Sequence, residues 1–292
     1  MSEATTATRC EGRANRQVVF IAGAGHSGST LLGLVLGSHP RCFYAGEASK
    51  TRFLGDERRP ERKRLCKICG DGCPVWSGFD LSPHVDLYER ISRRVGHPVV
   101  IDSTKDVAWI QSRASELSTT GASRHLVLLL RDGRAVVNSR LRKAISADPI
   151  EVIDRWADQM RRSLELYDAW AGSRVSIRYE ELAMRPSETV RRVCRFLGLD
   201  YRPSMLDFHM HEHHPLGGNN GTQFQVSRIQ RFGMPGPTAE PPERSRTFYT
   251  SHGPSIELDL RWQSELSPEL ADLVQRRARD VDALTRWDRS PE

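Results

Sequence analysis

The chain has 292 residues, 38% of them hydrophobic and 27% charged, with a net charge of +6. That length can bury one large α/β core, and no apolar run approaches the roughly 20 residues that a bilayer-spanning helix needs. The basic balance suits an anionic partner, yet the arginines are scattered and no basic tract is interleaved with aromatics, which favours a polyanionic small molecule over nucleic acid.

Residues 1–16 lack the apolar core of a secretory signal and read as a short disordered leader to a cytoplasmic, bacterial-type chain with reduced cysteines. The rest, 17–292, reads as one domain. Its first element is the apolar run Val18 to Ala22, a strand, followed by GAGHSGST at 23–30 and a leucine-rich helix over 29–38. Residues 50–84 are charged, carry Cys66, Cys69 and Cys73, and look like an insertion. Further short apolar runs at Val99 to Ile101, Leu126 to Leu130 and Val175 to Ile177 are strands apolar on both faces, as in a parallel sheet covered on both sides. Between and after them the spacing predicts helices over 135–145, 150–171, 186–197 and 268–284, with Pro186 and Pro268 at tolerated first-turn positions. Residues 208–255, rich in Gly, Pro and His, read as a long mobile loop. The fold class is α/β, a doubly wound, P-loop-like parallel sheet flanked by helices.

The strand, glycine turn and helix at 18–38 aim backbone N–H groups and a helix N-terminus at an anion. The spacing matches a phosphate loop, but Ser29 stands where a nucleotide triphosphatase has its lysine. Without that charge the triphosphate of ATP is a poor fit, and a singly charged sulfuryl group, needing no Mg²⁺, suits the loop better. A second anion site follows the strand at 126–130. In LLLRDGRAVVNSR, Arg131 offers a planar fork of donors, and Ser139, two helical turns on, adds a hydroxyl from the same side. Arg134, Arg140 and Lys143 add positive charge nearby.

These segments resemble the PAPS-dependent sulfotransferase superfamily. HSGST is similar to its 5′-phosphosulfate loop, RDGRAVVNS to its 3′-phosphate motif, and IRYEELAMRPSETVRRVCRFLGL to its third marker; HPLGGN and the Asp259/Trp262 pair resemble bacterial members. The Gly-Glu segment in HPRCFYAGEASK is similar to the tyrosylprotein-type branch. The resemblance implies PAPS as donor and PAP as product, no required metal, and transfer to a hydroxyl of a small molecule or natural product. It implies Glu47 as base, Lys105 in VVIDSTKDVAW as the stabilising lysine, and His26 in place of the usual Lys or Arg. Ser27, Gly28, Ser29 and Thr30 would serve the 5′-phosphate, Arg131, Ser139 and Lys143 the 3′-phosphate, and Tyr179 and Asn219 the nucleotide. If His26 acts as imidazolium, activity should fall as pH rises.

Two groups stand outside that assignment. Cys66, Cys69 and Cys73 have metal-ligand spacing but only three ligands; His84 or Cys42 could supply a fourth by folding back, and a disulfide or simple packing is equally open. His209, His211, His213 and His214 read as part of the cleft-edge loop. The other function classes are a P-loop kinase using Mg·ATP, disfavoured by Ser29, and a basic nucleic-acid module, which leaves Glu47 and the Arg131/Ser139 pair unexplained.

Overall fold

Gln17–Ala22 (β1) is buried at all six positions and forms the middle of a five-stranded parallel sheet. The computed structural model describes residues 12–79, 86–143, 146–231, 240–241, 243–251, 253 and 255–288. The strand order is β2-β3-β1-β4-β5, with β2 at Cys42–Gly46, β3 at Val99–Asp102, β4 at Ser123–Leu130 and β5 at Ser173–Arg178. Phe20 of β1 lies level with Asp102 on one side and Leu126 on the other, so the carboxyl ends of the central strands finish near one another. In such a sheet the crevice beyond the strand ends, where the order reverses around β1, is the place for a ligand.

The apolar runs at 18–22, 99–101, 126–130 and 175–177 all lie in strands, and the sheet has one strand more. The added strand is Cys42–Gly46, whose five residues ending in a glycine carry little periodicity. The helix Gly133–Lys143 starts two residues before its expected position, and residues 144–145 lie outside those described. Pro149–Asp168 is capped by the Asp148 side chain, and Pro186–Leu197 has its expected bounds. The predicted helix over 268–284 is two helices, Pro268–Arg277 and Arg279–Thr285, broken where Ala278 adopts φ −125° and ψ 37°. Two further helices lie where none was expected from the sequence: Leu87–Val95 and Val107–Leu117, capped by Asp86 and Asp106, each accepting two backbone N–H groups.

Within 208–255, the sequence expectation of a loop gives way to the helices Asn220–Gln230 and Glu243–Ser251. At the amino end Asn15 is fully buried, and its N–H donates to Glu89 while Arg13 pairs with Asp86. A second apolar cluster lies between Gly133–Lys143, Pro149–Asp168 and Pro268–Arg277, centred on the fully buried Trp156. Among the described residues no helix is long and apolar enough to cross a membrane.

The turn leaving β1 needs glycine. Gly23 has φ +125°, and a Cβ there would lie 2.4 Å from the Leu129 carbonyl oxygen of β4. Gly23→Ala is therefore expected to lower the unfolding free energy by about 2 kcal/mol or more, read from the urea midpoint at constant m value.

Candidate active site

Each of the five strands delivers a candidate side chain just past its carboxyl end: His26 after β1, Glu47 after β2, Lys105 after β3, Arg131 after β4 and Tyr179 after β5. All five line one cavity of about 530 Å³. Gly28, Ser29, Thr30, Ser139, Lys143 and Asn219 line it too, so ten of the candidates gather with Glu47 around a single space. Ser27 is the exception. Its side chain is 1% exposed, does not reach the cavity, and its hydroxyl has no partner among the described residues.

The loop's backbone makes the anion cradle. Gly23, His26 and Gly28 all have positive φ, and His26, at +75°, is the only such non-glycine among the described residues. Gly25 N is held by Gln159 and Ser27 N by the Ala24 carbonyl, so the N–H groups left for an anion are those at the start of the following helix. Gly28 caps the helix Ser29–Gly37 without a side-chain hydrogen bond, leaving the first-turn N–H groups at the cavity wall. A Cβ on Gly28 would stand 2.6 Å from the Tyr179 ring, so the loop packs directly on that aromatic face.

Arg131 is stacked on the same ring, 4.2 Å from its centroid, and donates to the His26 carbonyl at 2.9 Å and to Asp259 at 3.2 Å. Tyr179 is in turn held by its hydroxyl, which donates to Glu257 O and accepts from Asp259 N. Arg261 and Arg142 also face Asp259, at 2.7 and 4.0 Å. Burial opposes ionisation of Asp259, but the hydrogen bonds from Arg261 and the charge of Arg131 hold it below the usual carboxylate range. Three arginines converging on one carboxylate leave an excess of positive charge beside the loop. Arg142 and Arg261 were not singled out from sequence; the only sign was the Asp-x-x-Trp segment that contains Arg261.

His26 is neutral. Burial, followed by the charges of Arg140, Lys143, Arg131 and Arg142, lowers its pKa from 6.5 to about 3. This corrects the expectation that it could act as imidazolium near neutral pH. Its Nδ1 lies 2.8 Å from the Ser139 hydroxyl. With the hydroxyl donating, Nε2 carries the ring proton. Arg140 does not line the cavity: it donates to Gln159, which also accepts from Gly25 N, and to the Gly25 carbonyl at 3.4 Å. Arg134 is tied up with Asp132 and Asp288.

Glu47 and Lys105 are placed by one buried carboxylate. Asp102 is fully buried and accepts from Tyr88 and Trp109 on one oxygen, and from Ala48 N and Thr104 N on the other. Glu47 holds Gly218 N on one oxygen (3.1 Å) and Lys50 on the other (2.9 Å). Lys105 donates to the Ile21 and Ser103 carbonyls, and burial lowers its pKa to about 8 despite the charges of Glu47 and Asp102. Asn219 donates its N–H to Thr30 Oγ1, while its carboxamide caps the following helix.

The cysteine segment resolves differently from its sequence reading. The fourth group beside Cys66, Cys69 and Cys73 is His214, all four ligand atoms lying within 4.8 Å of one another. Cys42 instead lies beside His39, its thiol pushed up by burial, and His84 is outside the described residues. Nor are the histidines free at a cleft edge: His213 and His214 are buried, and His213 Nε2 lies 2.8 Å from Phe208 O.

Residues 121–203 match the model described as "Sulfotransferase family". The chain is 24% identical over 225 residues to Protein-tyrosine sulfotransferase 1 of Danio rerio, covering 73% of this chain and 60% of that one. Among solved structures it is similar to the sulfotransferase domain of the Synechococcus PCC 7002 olefin synthase, with TM-score 0.60, 17% identity, and coverage of 97% and 98%. The sulfotransferase domain from the curacin biosynthetic pathway gives TM-score 0.58 at 17% identity, covering 89% of this chain and 96% of that domain.

The neutral imidazole has a consequence for stability. The folded pKa of His26, about 3, lies below the unfolded 6.5, so between these values the unfolded chain binds the extra proton. Stability from this group is complete above 6.5 and is lost as pH falls. His213, lowered to about 4 mainly by burial, acts with the same sign. The fall in urea midpoint from about pH 7 to pH 5 should be smaller in His26→Gln than in the parent; an unchanged slope would refute the neutral His26.

Proposed function

Since residues 121–203 belong to the sulfotransferase family and the whole chain has the fold of solved sulfotransferase domains, we take the chain as a sulfotransferase and propose that it moves the sulfuryl group of PAPS to a hydroxyl of a small-molecule acceptor. The observation that carries this reading is the meeting, in one cavity, of a lysine-free anion loop, the Arg131/Ser139 pair, Glu47 and Lys105.

The residues suit a bisphosphate donor. Arg131 Nε is buried with no partner among the described residues, so the guanidinium keeps one unused donor. Arg131 and Ser139 would hold the 3′-phosphate, with Lys143 at the cavity rim. Gly28, Ser29 and Thr30 would hold the 5′-phosphate through first-turn N–H groups and two hydroxyls, and the Tyr179 ring would fix the loop and Arg131 in register. Ser27, whose N–H goes to the Ala24 carbonyl at 3.3 Å, would shape the loop from within. PAPS brings a singly charged sulfuryl group and a phosphate as its leaving group.

Glu47 would accept the acceptor's proton. Each of its oxygens keeps a lone pair beyond those given to Gly218 and Lys50, and those two contacts hold it in place. Lys105, cationic at neutral pH, would stabilise negative charge on the transferring group. His26 would donate Nε2–H to the bridging oxygen as a neutral imidazole, so it contributes orientation more than charge. Phe208, Phe248 and Tyr249 line the same cavity and would form the acceptor's apolar wall.

Calorimetric titration with PAP, without metal, is expected to give micromolar binding that 5′-AMP and Mg·ATP do not match. Arg131→Ala should weaken it by about 100-fold, while Glu47→Gln should leave binding intact and lower kcat by about 10² to 10⁴. Preference for Mg·ATP would restore the kinase reading; sulfation of a tyrosine peptide in place of small phenols would move the acceptor to protein. For the pH profile, Lys105 has its pKa lowered to about 8, so its charge is present below that value and lost above it. The kcat/KM value should fall as pH rises through about 8, and Lys105→Arg, if active, should keep its activity to higher pH.

A further inference from the structure

The geometry points to a structural zinc site formed by Cys66, Cys69, Cys73 and His214, which staples the 66–73 segment to the strand-like run that holds Glu47. The inference does not depend on the sulfuryl-transfer reading. The three cysteines are free thiols, two buried and one half-buried, and their sulfurs and His214 Nδ1 lie within 4.8 Å of one another. His214 Nδ1 is 3.2 Å from Cys69 Sγ and 3.5 Å from Cys73 Sγ. A tetrahedral zinc with bonds of about 2.3 Å to sulfur and 2.0 Å to nitrogen sets its ligand atoms roughly 3.8 Å apart or slightly less, so small side-chain rotations would close the shell. Three thiolates and one imidazole suit Zn²⁺ and not Mg²⁺ or Ca²⁺, and four protein ligands make a closed, non-catalytic site.

The surroundings are those of a built site. Cys66 to Gly70 is a tight turn: Gly70, at φ +75°, donates its N–H to Cys66 O, and Cys69 N points at the Cys66 sulfur at 3.5 Å, where it would support a thiolate. Arg231 fastens the same turn through the Ile68 and Cys69 carbonyls. On the imidazole side, Nδ1 faces the sulfurs while Nε2 lies 2.8 Å from Glu212 Oε1, the second-shell carboxylate that fixes a metal-binding tautomer. Trp76 Nε1 donates to the His214 carbonyl. Loading the site would exchange three S–H bonds for sulfur–zinc bonds and release the three protons to solvent, with no change of oxidation state.

Two residues beyond His214 the chain becomes part of the candidate active site. Leu216 N donates to Ala45 O, Glu47 N donates to Leu216 O at 2.7 Å, and Gly218 N reaches the Glu47 carboxylate. Cys66 bridges to Leu216 as well, and Lys67, between the two ligands of the turn, lines the cavity and donates to Asn220. An ion here would anchor the Leu216 partner of the Glu47 N–H and the Gly218 contact without touching substrate.

The test is metal analysis of the full chain purified under reducing conditions. One zinc per chain is expected, lost in Cys69→Ser and His214→Asn and kept in Cys194→Ser, whose thiol is buried elsewhere. Cobalt exchanged into the parent should give thiolate-to-cobalt charge-transfer bands and the intense visible bands of a tetrahedral ion. Chelation should speed hydrogen exchange at Leu216 and Glu47. A chain that carries no metal and takes up neither zinc nor cobalt, a disulfide that includes Cys66, Cys69 or Cys73, or an octahedral cobalt spectrum would overturn the site. Metal loss with unchanged exchange at Leu216 and Glu47 would overturn the staple.

Discussion

The Asp102 carboxylate, at the end of β3, accepts from four donors drawn from four parts of the chain: Tyr88, Trp109, Ala48 and Thr104. An ionised group without contact to solvent survives only when its lone pairs are satisfied, so these donors are not interchangeable with water. The bond from Ala48 N fixes the turn that presents Glu47, and the bond from Thr104 N fixes the turn that presents Lys105. Two side chains separated by 58 positions in sequence are thereby set on one rim of the cavity. Tyr44, whose hydroxyl lies 2.8 Å from the Ser103 hydroxyl, ties β2 to the same turn.

Across the cavity the constraint is charge, not hydrogen-bond saturation. Arg131, Arg142 and Arg261 share the Asp259 carboxylate, while burial and the charges of Arg140, Lys143, Arg131 and Arg142 hold the His26 pKa down to about 3. The positive charge that suits a polyanion thus also bears on the protonation of the one histidine in the loop. Stacking of Arg131 on Tyr179, and of Tyr179 on Gly28, makes one rigid unit of loop, aromatic and guanidinium. Such preorganisation spares a bound anion the reorganisation that flexible lysines would require.

The segments with the least regular sequence close the remaining side. Residues 66–73 and 214–219 have no long helix or strand, and their shape comes from tight turns and from side chains meeting across the gap between them. Their link to Glu47 runs through backbone bonds at Leu216 and Gly218. Gly46 shows how close that contact is: at φ +78°, a Cβ there would stand 2.2 Å from Leu216 O.

The sequence by itself determined the α/β class, four of the five strands and the loop, because apolar runs of strand length and a strand-glycine-helix order are local signals. It also determined which residue types could serve an anion, since the missing lysine at Ser29 and the Arg131/Ser139 spacing are readable without a fold. Only the tertiary structure decided that His26 is neutral, because its pKa depends on burial and on four cations brought from the helix Gly133–Lys143 and the end of β4. It alone removed Arg134 and Arg140 from the cavity, by supplying Asp132, Asp288 and Gln159 as partners. It alone found His214 for the three cysteines, as no spacing rule connects residues 141 positions apart. Local pattern fixes which elements form; long-range packing decides which charges and ligands meet, and that depends on the sheet order, which the chain does not state locally.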